Sequence, residues 1–194
     1  MAFHIVGIDP SLSGTGVCRI RPEDAEPITF DLIDSKPIPN AGYIDTLVRM
    51  RNIAGRVIRA ARVGMEEGDV LVVIMEGPIF GQSTGQYHTR AGLWWILYHL
   101  LEKLGAFVII EPTRLKRYVT GKGNAPKDVV FSTVVRNFPH LGIMDNNIAD
   151  AIGLACMGAR ELGYPMEPSV QRVTPAALEG VAWPWFMADH RRAL

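Results

Sequence analysis

Apolar and polar positions divide the chain into strand-like and helix-like stretches. Residues 2–9, "AFHIVGID", are a nearly continuous apolar run that ends on Asp9 and breaks at Pro10, which reads as a buried strand. Residues 15–21 and 27–33 read as two more strands and give an antiparallel start. From 43 to 63 the period becomes helical: Ile44, Leu47, Met50, Ile53, Ala54, Val57, Ile58 and Ala61 fall on one face, and Gly64 follows as a C-terminal cap. "DVLVVIME" (69–76) is short, continuous and β-branched, the pattern of a strand inside a parallel sheet. Residues 85–104 return to helical spacing with Leu93, Leu97, Leu100, Leu101 and Leu104 inward, and "AFVIIE" (106–111) is a fifth strand. Shorter helices are predicted over 112–119 and 126–137, flanking the Gly-rich loop "TGKGNAP", and a last one over 146–162. Three strands followed by helix, strand, helix, strand and helices predict an α/β fold with a mixed five-stranded sheet and helices on both faces. From Tyr164 the period is lost among Pro165, Pro168, Pro175, Pro184, Trp183 and Trp185, so the chain divides into a body (1–163) and a C-terminal extension (164–194).

Composition narrows the class without naming a function. The 194 residues suffice for one core, and 48% hydrophobic with 21% charged residues is ordinary for a globular protein. The longest apolar stretches are too short to span a membrane, and no basic region precedes the first one, so a signal peptide is not expected. Two cysteines, Cys18 and Cys156, suggest neither a disulfide framework nor a zinc site, and a reduced cytoplasmic setting follows. Formal net charge is zero, which disfavours a general nucleic-acid binder. The distribution changes that picture: between Pro112 and Lys127 stand Arg114, Lys116, Arg117, Lys122 and Lys127 with no acid among them. Such a patch is often only a solvated face. Interleaved with glycines, it also suits approach to the phosphates of a nucleic-acid backbone. The loop "GKGNAPK" lacks P-loop spacing and does not follow a strand, so no nucleotide cofactor is expected.

Two buried-type strands end on an acid, Asp9 and Glu76. Each alone is explained by a cap or a turn. If the strands are parallel neighbours, both carboxylates face one crevice at the carboxyl end of the sheet. There they repel unless a cation lies between them, and an all-oxygen site suits Mg²⁺ or Mn²⁺. "MDNNIADAIGLA" (144–155) adds Asp145 and Asp150. Helix capping explains Asp145 well. Asp150 lies about a turn inside an apolar helix and needs a partner.

The segments "GIDPSLSGTGV", "VVIMEGP", "PTRLKRYVTGKGNAPK" and "NNIADAIGLA" together resemble RuvC-type Holliday-junction resolvases, especially those of bacteriophages. They occur in family order and cover most of residues 4–155. The resemblance implies an RNase H-like fold, a homodimer, branched DNA as partner, and Mg²⁺-dependent nicking, with Mn²⁺ as a substitute. It puts Asp9, Glu76 and Asp150 on the family's metal-binding acids and Lys116 and Lys127 near the scissile phosphate. The basic stretch, Arg114, Arg117 and Lys122 included, becomes the DNA-binding segment. One position departs: three residues before the last acid stands Asn147, so either Asp145 or the Asn147 carbonyl completes the metal site. Phe80 is the candidate for the family's junction-wedging aromatic, with a packed loop residue as the equal alternative. The implied chemistry is a two-ion clamp on one phosphate, leaving 5′-phosphate and 3′-hydroxyl ends. Helix 85–104, with "GLWWILYHLL", is a candidate dimer interface or a buried monomer helix.

Three rivals are weighed against this. A sugar-kinase or actin-like fold also opens with strand, Asp and Gly-containing turn, but it needs two such domains. A nuclease of the same fold acting on RNA, and a junction-binding protein without catalysis, share the fold. ATP dependence, RNA preference and binding without cleavage identify them respectively. The extension is open between covering a dimer, binding a partner and lying against the core.

Overall fold

The computed structural model describes residues 2–78, 86–168 and 175–193. Five strands, β1 (Phe3–Asp9), β2 (Gly14–Ile20), β3 (Ile28–Asp34), β4 (Val70–Glu76) and β5 (Ala106–Ile110), form one sheet in the order β3-β2-β1-β4-β5. The first three are antiparallel neighbours, and β1–β4 and β4–β5 are parallel. The helices are α1 (Tyr43–Ala61), α2 (Tyr87–Leu101), α3 (Pro112–Thr120), α4 (Lys127–Asn137), α5 (Asn146–Glu161) and α6 (Trp185–Ala193). Among the described residues, no helix is long and apolar enough to cross a membrane.

Side chains alternate across the sheet and so feed two cores. On one face Val6, Ile8, Val17, Val73 and Met75 meet α1 and α2 through Ile53, Val57, Leu93 and Leu97. On the other, Ile5, Cys18, Ile20, Ile74 and Ile110 meet α3, α4 and α5 through Leu115, Val134, Ile152 and Ala155. The α5 helix comes unusually close because glycines lie beneath it. A Cβ on Gly7 would stand 2.0 Å from the Ala151 carbonyl oxygen, and one on Gly16 would stand 2.0 Å from that of Asn147. Helix backbone therefore rests on strand backbone at both points.

Two apolar positions depart from expectation. Ile44 is 73% exposed, in a first half of α1 that contributes no buried residue before Ile53, and Leu104 is 37% exposed because α2 ends at Leu101 and the chain turns there. The extension lies against the core: Ala177, Leu178 and Met187 are buried in the α5-side cluster. Phe186 stacks on Phe3 with centroids 6.3 Å apart, and Arg191 pairs with Glu161 at 3.1 Å. Glu167 is buried and held by Arg160 (2.7 Å) and by the Tyr118 hydroxyl, which donates to it.

Candidate active site

The parallel register of β1 and β4 sets Ile8 beside Met75, and one step further Asp9 lies beside Glu76. Strand alternation points both side chains to the α5 face, away from Ile8 and Met75, which enter the opposite core. The turn after Asp9 is closed locally. The Thr15 hydroxyl donates to the Ser11 carbonyl at 2.8 Å and accepts from the Ser11 N–H at 3.1 Å. The end of β4 is fixed by Trp94, whose Nε1 donates to the Glu76 carbonyl at 2.8 Å.

Electrostatically this corner is out of balance. Asp9 is only 6% exposed. Burial first, then repulsion from Glu76 and Asp150, pushes its carboxyl well above the ordinary carboxylate range. Burial also raises Glu76 to about 7, against the pull of a hydrogen bond with Asp9 and of Lys127 and Lys116. Two carboxylates this close repel unless a proton or a cation lies between them. Asp150 is half-buried, and burial raises it too, with Lys127 and Lys116 as the opposing charges. Thus Asp9, Glu76, Asp150, Lys116 and Lys127 act on one another. Among the described residues, no three His, Cys, Asp or Glu side chains converge into a ready-made coordination shell. As donors, buried carboxylates in mutual repulsion match the chemistry of a divalent, oxygen-loving cation.

The remaining expected residues separate. Asp145 is the N-cap of α5: its Oδ1 accepts from the N–H groups of Asn147 (2.8 Å) and Ile148 (3.3 Å). Asn147 lines the cleft that holds Asp9 and Glu76. Arg117 and Lys122 are exposed, on α3 and in the turn after it. Arg114 is occupied: Nη1 donates to the carbonyls of Ala177 (3.1 Å) and Glu179, and Nε donates to Glu111 at 3.0 Å. The Nη1 bonds tie it to the extension. Phe80 lies outside the described residues.

The cleft, about 270 Å³, straddles the carboxyl end of the sheet. Its α2 wall, with Tyr87, Arg90 and Trp94, went unnoticed in the sequence. One signal was available: Arg90 is the sole Asp, Glu, Lys or Arg in α2.

No protein-family model matches the sequence, and no curated protein matches it either. Solved structures do match. The chain is similar to Thermus thermophilus RuvC at 19% identity with a TM-score of 0.58, covering 84% of this chain and 98% of that one. It is similar also to T. thermophilus RuvC in complex with a Holliday junction substrate, at 16% identity and TM-score 0.55, covering 80% and 90%. These likenesses define the class of fold: the RNase H-like α/β fold of RuvC.

Proposed function

We propose that this protein is a structure-selective DNA endonuclease that nicks four-way and other branched junctions, of the RuvC type and closest in character to the bacteriophage branch. One observation carries the reading. On an RNase H-like sheet, the neighbouring ends of β1 and β4 present a buried pair of acids, both raised by burial, with Asp150 and two lysines acting on them.

Asp9, Glu76 and Asp150 would hold Mg²⁺, or Mn²⁺ in its place, as a pair of ions. Asn147 is favoured over Asp145 as the further donor, because it lines the cleft while Asp145 is engaged as a cap. Such ions supply an activated water and stabilise the leaving oxygen. The chain does the rest. Lys127 and Lys116 offset negative charge developing on the phosphate. The closed turn at Ser11–Thr15 and the Trp94 bond keep the two acids at fixed height. Attack in line with the 3′ oxygen leaves 5′-phosphate and 3′-hydroxyl ends. A two-fold homodimer would set two such sites on opposite strands. The 62% exposure of Trp95 on α2, whose other face is buried, supports that helix as the interface. The buried, unbridged Cys18 and Cys156 support a cytoplasmic setting.

Cleavage of a synthetic four-way DNA junction in Mg²⁺ tests the reading. Paired nicks in opposite strands are expected, lost in Asp9→Asn while junction binding survives. Binding without nicking in Mg²⁺ and Mn²⁺ would mean a junction-binding protein. Cleavage of RNA without junction binding would mean the RNA-directed rival.

A further inference from the structure

The proposed chemistry uses the side of the cleft built by α4 and α5. The α2 wall is left over. We propose that Tyr87 and Arg90 hold the nucleotide flanking the scissile phosphate, Arg90 by its phosphate and Tyr87 by the face of its base. This rests on the nuclease reading of the same cleft.

Both residues line the cleft with Asp9 and Glu76. Three apart on one helix, they are neighbours on its surface. Both are exposed, Tyr87 by 42%. Arg90 forms no ion pair among the described residues. Its guanidinium, in the cleft that also holds Asp9 and Glu76, is open to an incoming anion. Its forked donors match a phosphate. An exposed tyrosine next to it is the kind of platform on which a base stacks.

The size of the cleft agrees. About 270 Å³ is at the small end of ligand pockets, the scale of one nucleotide and not of a duplex. Trp94 ties this wall to the acid, since its indole N–H holds the Glu76 carbonyl. A flanking nucleotide held by α2 is thereby kept in register with the acids. The arrangement also yields selectivity. A base reaches Tyr87 only where stacking is interrupted, as at a branch point, and extruding one from intact duplex is costly. The α2 wall thus favours branched over continuous DNA without reading sequence.

Steady-state cleavage in Mg²⁺, on a four-way junction and on a linear duplex, tests this with Arg90→Gln, Arg90→Lys, Tyr87→Leu and Tyr87→Phe. Arg90→Gln is expected to raise KM for the junction about tenfold, the loss falling mainly on KM, and to lower the salt slope of binding by about one. Arg90→Lys restores the slope. Tyr87→Leu reduces the preference for junction over duplex about tenfold, and Tyr87→Phe keeps it. The rise in melting temperature on adding Mn²⁺ stays at the wild-type value in every variant, which separates these effects from damage to the acids. If the wild type cuts junctions while Arg90→Gln and Tyr87→Leu match it in KM, salt slope and preference, the α2 inference is overturned and the nuclease reading stands. If the wild type neither binds nor cuts junctions, both are overturned.

Discussion

The two ends of β4 each carry an acid, and the two acids live under opposite conditions. Asp69, just before the strand, accepts from the N–H groups of Ala2 and Glu66, both at 2.9 Å, and pairs with His4 at 3.1 Å. Those backbone donors hold its carboxyl down to about 2. Glu76, at the other end, has Asp9 for its hydrogen-bonding neighbour and is raised to about 7 by burial. One acid is satisfied by the chain itself and staples the first strand to the fourth. The other is buried beside a second acid. Ionised, it costs the metal-free fold on the order of 3 kcal/mol, since every tenfold change in proton affinity corresponds to about 1.4 kcal/mol. An acid at a strand end is therefore structural or functional according to its donors, not its position.

Substitutions at the two acids separate the two roles. Glu76→Gln is expected to cut junction cleavage about a thousandfold, while raising the metal-free melting temperature at pH 8, where it removes repulsion. Asp69→Asn does the reverse, lowering the melting temperature and leaving the turnover of folded molecules intact. Thermal melts with cleavage assays on the same samples check both.

The pH dependences also oppose each other. Glu76 has a raised folded pKa, so the stability linked to it is full below its unfolded value of 4.5 and is lost as pH rises through about 7. Asp69 has a depressed one, so its contribution is present above the unfolded value of 3.8 and is lost as pH falls through about 2. Denaturant melts in EDTA from pH 2 to 8 should show both limbs in the wild type. The upper limb should flatten in Glu76→Gln and the lower in Asp69→Asn. Two smaller effects concern the helix that brings Asp150 to the site. Gly16→Ala forces a methyl into the Asn147 carbonyl and should destabilise by about 3 kcal/mol. Asp145→Ala should cost about 1 kcal/mol as a lost cap, with the Mn²⁺-induced rise in melting temperature unchanged. If that rise disappears instead, Asp145 is a ligand as well.

Much of this arrangement could be read from residue order. The apolar run from His4 to Asp9 and the run from Val70 to Glu76 announced buried strands ending on acids, and the short continuous pattern of β4 implied parallel neighbours. Asp145 and Asp150 could also be told apart, because one stands where caps stand and the other inside an apolar helix. What escaped was set by tertiary proximity. Gly7 and Gly16 look like ordinary strand and turn glycines, and only the approach of α5 shows that a Cβ is excluded there. The bonds from Arg114 to the extension could not be foreseen either, because the extension has no period to read. The α2 wall was hidden because a helix dense in leucine and tryptophan draws attention to its core face, leaving Arg90 unremarked.

If Asp9 and Glu76 hold a divalent cation, its binding requires displacement of the protons that burial and mutual repulsion favour on them. Calorimetric titration of Mn²⁺ at pH 7 in two buffers of different ionisation enthalpy measures it directly. Binding with net proton release is expected, weakening as pH falls from 7 to 5, and abolished in the Asp9→Asn, Glu76→Gln double variant. Binding without proton release, or binding that survives in the double variant, would contradict it.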